Sequence, residues 1–112
     1  MKKVGIIRCQ QTEDICPGTT DFKFASAGKG AFAELGDQCE IVGFLSCGGC
    51  PGKKAVFRAK MLAERGVDAV AFTTCMSKGS PINFPCPHFD EIIRATEQAG
   101  GDKVKILRFT HP

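Results

Sequence analysis

Two thiols separated by two glycines, in Cys47-Gly48-Gly49-Cys50-Pro51-Gly52-Lys53-Lys54, stand between an apolar run, Ile41 to Leu45, and a helix-like run, Ala55 to Arg65. This is a Cys-x-x-Cys on a strand-to-helix turn. The glycines allow a tight turn and leave both sulfurs unobstructed, while Pro51 suits a first helical position and so puts Cys50 at or near the N-cap. A thiol there faces free N–H groups and the positive end of a helix dipole, which favours its thiolate. Thiolates bind soft metals and attack disulfides, so the spacing points to a tetrahedral metal site or to a redox pair.

Seven cysteines in 112 residues is the unusual feature of the composition. An odd count, an ample core and the lack of an export signal argue for reduced cysteines serving metal or redox chemistry rather than a disulfide framework. The 43% hydrophobic and 24% charged content fits one globular domain spanning 1–112. No apolar window approaches membrane-spanning length, so the expected location is cytoplasmic and no membrane is expected as a partner. Basic residues exceed acidic ones only 15 to 12, without a basic tract, and Trp and Tyr are absent. Nucleic acid is therefore not an expected partner. A homodimer stays open.

Elements must then carry these thiols to one place. Val4 to Ile7 reads as a first strand, ending at Arg8-Cys9, and a loop Gln10 to Thr20 holding Cys16-Pro17 leads to a cap at Thr20 or Asp21. Phe22 to Leu35 has helical spacing, with Gly36 as its stop. Glu40 to Ser46 is a second strand ending on Cys47, Ala55 to Arg65 a second helix, and Asp68 to Thr74 a third strand ending on Cys75. Met76 to Pro85 is a long polar loop and a candidate lid. Cys86-Pro87 repeats the Cys-Pro helix start before a helix faced by Phe89, Ile92, Ile93 and Thr96 and closed by Gly100-Gly101; Val104 to Phe109 is an edge strand.

Strands alternating with helices predict an α/β fold, a single-domain three-layer open parallel sheet of flavodoxin-like type with about four strands in the order 2-1-3-4. Such a sheet gathers Cys9, Cys47 and Cys75 on its carboxyl edge, where open α/β sheets bind ligands. Cys50, Cys86 and His111 belong to the same rim, with Cys16 and His88 on loops or helix starts facing it. Cys39 opens strand two at the opposite edge and is structural. Each candidate also has an ordinary reading: free cysteines are often buried and inert, Cys-Pro is a simple helix start, His88 and His111 suit solvated positions, and Lys53, Lys54, Arg58 and Lys60 suit a solvated helix face. Lys53 beside the thiols could still steady negative charge. Absent are the Arg six residues after a cysteine that cysteine phosphatases use, a nucleotide P-loop and a Gly-x-Gly-x-x-Gly after strand one.

With these residues laid out, the chain resembles the CGGC domain family, small bacterial and archaeal proteins for which metal binding, most often of zinc, is the proposed property. The resemblance covers nearly the whole chain: Cys9, Cys16, Gly30-Ala31-Phe32, Gly43-Phe44 leading into Cys47-Gly48-Gly49-Cys50-Pro51-Gly52, then Cys75, Cys86-Pro87-His88 and Thr110-His111. Phe109 departs from the pattern, which has Gly there. The resemblance implies metal binding but no established reaction. The expected ligands are Cys9, Cys47, Cys50 and Cys75, with Cys16, Cys86, His88 and His111 as further candidates for zinc or an iron–sulfur cluster. The alternatives are a thiol-disulfide or metal-dependent oxidoreductase using Cys47 and Cys50, with a redox partner or small molecule, and a metal carrier or interaction module.

Overall fold

A computed structural model describes residues 1–79, 85–99 and 104–112. Four strands, β1 (Lys2–Arg8), β2 (Cys39–Ser46), β3 (Ala69–Phe72) and β4 (Lys105–Leu107), form one sheet in the order β2-β1-β3-β4. All three pairings are parallel, so the predicted α/β class, strand order and edge position of the last strand hold. Helices α1 (Thr19–Ala27), α2 (Lys53–Glu64), α3 (Thr74–Ser77) and α4 (Phe89–Gln98) connect them. Among the described residues no helix is long and apolar enough to cross a membrane.

The central strands are near-continuous apolar runs because both of their faces are covered. Ile7, Val70 and Phe72 pack with Ala55, Ala59 and Leu62 of α2 and Ile92 and Ile93 of α4 on one face. Val4, Ile6, Ala69 and Ala71 pack with Ala25 of α1 and Phe32 on the other. Close approach of α2 to the sheet requires glycine beneath it. A Cβ on Gly5 would lie 2.7 Å from Leu62 Cδ1, and one on Gly43 would also strike Leu62.

Several expected boundaries move, each for a local reason. The single helix expected over Phe22 to Leu35 is two elements. α1 starts at Thr19 behind Gly18, not behind Thr20 or Asp21, and Gly28 at φ 67° ends it in a left-handed cap. A 3-10 segment, Gly30–Leu35, follows. Gly28 thus acts as a terminator, the role glycine fills more readily than a helix interior. The third strand stops at Phe72, and Cys75 lies inside α3 rather than at a strand end. Helix α4 begins at Phe89, with His88 as its cap. The last strand is shorter than Val104 to Phe109. The central part of the candidate lid and the Gly100-Gly101 stop lie outside the described residues.

Candidate metal centre

The parallel register brings the carboxyl ends of the strands together. Arg8 pairs with Ser46, and the ladder runs one step further as Cys47 N–H donates to Arg8 O at 2.7 Å. Thr73 N–H donates to Ile7 O at 3.0 Å, so the chain after β3 leaves from the same edge. Cys9 and Cys47 are therefore the residues just beyond paired strand ends, as expected. Cys39 pairs with Lys2 at the far edge and is buried there, its thiol facing Asp37 O.

The turn after β2 departs from its expected form. The helix cap is Gly52, at φ 93°, and α2 begins at Lys53, so Cys50 and Pro51 precede the helix instead of opening it. Cys50 consequently does not sit on the first free N–H groups. Gly48 and Gly49 carry positive φ, which glycine alone adopts without strain. Arg58 braces the turn from α2: Nη1 donates to Ser46 O at 2.8 Å and to Ser46 Oγ at 3.0 Å, and that hydroxyl accepts from Gly48 N–H. Read from sequence as part of a solvated face, Arg58 instead holds the backbone that carries Cys47. Lys53 is exposed at the helix start.

Five of the eight candidate ligands line one cavity of about 170 Å³: Cys9, Cys47, Cys50, Cys86 and His88. Met76 and Ile92 supply apolar wall. Cys47 is buried and Cys50 exposed, with Cys9 and Cys86 between these extremes. Backbone hydrogen bonds position the segments. Gln10 N–H donates to Cys47 Sγ at 3.4 Å, and Cys86 N–H donates to Met76 O at 2.8 Å, tying the entry to α4 against α3.

Burial pushes the Cys9 thiol above its ordinary pKa, opposed by the Gln11 N–H and reinforced by Cys47, Cys75 and Cys86. Burial likewise raises Cys86, opposed by the His88 N–H and reinforced by Cys50, Cys47 and Cys75. Each of these two thiols thus feels the charge of its neighbours, a repulsion that a shared cation relieves.

The remaining three candidates, Cys16, Cys75 and His111, line a different pocket, together with Asp21. Cys75 stands between the two: it lines this pocket, yet it packs in the same core cluster as Cys47, with Cys9 and Cys86 against it. Its sulfur lies 2.7 Å from Thr73 Oγ1, where either atom can donate, and 3.6 Å from Thr12 Oγ1, whose proton has a nearer acceptor in Cys9 O at 2.9 Å. Asp21, expected only as a helix cap, is buried and faces His111 Nε2 at 3.6 Å. Among the described residues no three Cys, His, Asp or Glu side chains stand at ligating spacing as placed. The donor chemistry of the first cavity, four thiols and an imidazole, is of the kind that suits a soft metal.

An uncharacterised protein of Methanocaldococcus jannaschii is 36% identical over 100 residues, covering 82% of this chain and 74% of its own length. No solved structure matches the chain. The sequence pattern of the CGGC domain matches residues 3–111, and the protein belongs to the CGGC domain family.

Proposed function

We propose that the protein binds a thiophilic metal through Cys9, Cys47, Cys50 and Cys86, with His88 as an alternative ligand. One observation carries this reading: thiols from three separate segments, the end of β1, the turn after β2 and the entry to α4, open on one cavity. Zinc is the first choice and an iron–sulfur cluster the second, since both take thiolate sulfur. Four thiolates around zinc make a closed site that ties chain segments together, and an exchangeable fourth position would make it a Lewis acid. Arg58, Lys53 and Lys54 near the turn offset part of the negative charge of such a set. The test is metal analysis of protein purified without air, beside a Cys47→Ser variant. Near-stoichiometric zinc or iron that falls sharply in the variant supports the proposal, and stable metal-free protein that takes up neither metal refutes it.

The contrast between Cys47 and Cys50 favours a second reading, thiol-disulfide exchange by the metal-free protein. Exposed Cys50 can reach a disulfide, while buried Cys47, receiving the Gln10 N–H, stands three residues away to resolve the mixed disulfide. Mixed-disulfide trapping at Cys50 in a Cys47→Ser variant supports exchange. Trapping only at other cysteines refutes it.

A further inference from the structure

The pocket holding the three candidates left over from the thiol cavity has a chemistry of its own. It lies between the Ile15 to Pro17 loop, the start of α1, Cys75 and the C-terminal segment, and encloses about 280 Å³. We infer that Cys16, Asp21, Cys75 and His111 form a second, separate site for a divalent cation of zinc-like softness. Among the described residues, none lines both this pocket and the cavity of Cys9, Cys47, Cys50, Cys86 and His88.

Asp21 is the starting point. It is only 4% exposed, and a buried carboxylate is costly unless positive charge or strong hydrogen bonds compensate it. Thr110 Oγ1 donates to Asp21 Oδ1, and His111 Nε2 faces the same oxygen, so neither contact uses Oδ2. The imidazole supplies charge only when protonated. A bound cation would supply it at neutral pH too, taking the imidazole as a neutral ligand.

The backbone holds His111 beside Cys75. Thr74, the residue before Cys75, donates through Oγ1 to His111 O at 2.7 Å and accepts from His111 N–H at 3.0 Å and Thr110 N–H at 3.2 Å. Thr74 N–H in turn donates to Thr110 Oγ1. With the Thr74 proton on His111 O and the Thr110 proton on Asp21, every donor in this clamp is committed. Asp21 and His111 are thereby tied into one network, and Cys75 follows its pivot Thr74 directly in the chain. The hydroxyl contact from Thr73 to Cys75 Sγ resembles the outer-shell hydrogen bonds that orient metal-bound thiolates. Two sulfurs, one imidazole nitrogen and one carboxylate oxygen suit zinc and do not suit magnesium or calcium, which want oxygen throughout. Asp21 and His111 are already paired, and the two thiols must turn toward them.

The test uses the full chain, prepared without air and stripped of metal, with cobalt(II) as a spectroscopic probe of zinc sites. A Cys47→Ser/Cys50→Ser variant disables the thiol cavity. It should still bind about one cobalt per chain with tetrahedral d–d bands and thiolate charge transfer. Adding His111→Gln, and separately Asp21→Asn, should weaken that binding by more than about tenfold, the loss that even an outer-shell partner can cause. Far-UV circular dichroism establishes that each variant is folded, and half-buried His111 carries the test if Asp21→Asn is not. Folded Cys47→Ser/Cys50→Ser protein that binds no cobalt, or an unchanged spectrum and affinity after His111→Gln, overturns the inference. Failure of the thiol-cavity reading looks different: wild type and the Cys47/Cys50 variant would then bind the same number of ions.

Discussion

Thr74→Val keeps the shape of the side chain and deletes the hydroxyl on which the C-terminal segment hangs. Three backbone groups lose their partner: Thr110 N–H, His111 N–H and His111 O. Thr110 is fully buried, so its N–H forfeits the desolvation cost of an unsatisfied donor, about 1–3 kcal/mol. The His111 groups are part-buried and can turn to water, which limits their loss to about 0.5 kcal/mol each. The total is about 2–4 kcal/mol. A typical stability for a domain of this size is roughly 6–17 kcal/mol. The change should therefore lower Tm by about 8–16 °C, at roughly 4 °C per kcal/mol. Urea unfolding of reduced, metal-free protein measures it, with Thr74→Ser as the control that keeps the hydroxyl and loses only a methyl group, about 1 kcal/mol. A Thr74→Val protein within about 0.5 kcal/mol of wild type, or no worse than Thr74→Ser, would refute the clamp.

Gly5→Ala should cost about 1–3 kcal/mol, because its Cβ would meet Leu62 Cδ1 at 2.7 Å, and the same unfolding assay reads it. Arg58→Met should cost roughly 1 kcal/mol and weaken metal retention by the Cys47 cavity, since Ser46 and Gly48 lose their brace; unchanged affinity in a chelator competition would count against that role. Folding raises the Cys9 and Cys86 thiols above the ordinary 9.0, so the folded state holds those protons more tightly than the unfolded chain. The stability this gives is full below the unfolded pKa and is lost as pH rises through the folded one. Metal-free protein should accordingly have a lower urea midpoint at about pH 10 than at about pH 8. Cys39→Ala should leave metal content intact and cost only packing, within a few kcal/mol, because Cys39 pairs with Lys2 at the opposite edge.

The sheet was legible because its central strands, Val4 to Ile7 and Ala69 to Phe72, are apolar runs buried on both faces, and the alternation with helices leaves few topologies. The same logic placed Cys9 and Cys47 at one edge and Cys39 at the other. It failed where glycine has two uses. Gly28 fits helical spacing yet ends α1, and Gly52, not Cys50, caps α2, because a left-handed residue closes each junction. Cys75 was misplaced because Thr73 and Thr74 are β-branched and read as strand, whereas the strand ends at Phe72 and a helical turn follows. The division of the candidates between two pockets could not be read from spacing at all. It depends on Asp21, a residue whose position at a helix start suggested capping, and whose buried pairing with the tail is a contact across 90 positions of sequence. The one available signal was the Thr110-His111 pair in the family resemblance; the structure adds that Thr110 is buried and bonded to Asp21, which gives the neighbouring ring its place.

The central claim is that the thiols of the strand-end cavity hold a metal, and the most direct measurement is the metal-to-protein ratio of chain purified without air, wild type beside Cys47→Ser, with iron and zinc measured together. The account predicts near-stoichiometric zinc or iron in the wild type and a sharp loss in the variant. Folded wild-type protein that carries neither metal and takes up neither on titration, or a Cys47→Ser variant that retains its full metal content, would contradict it.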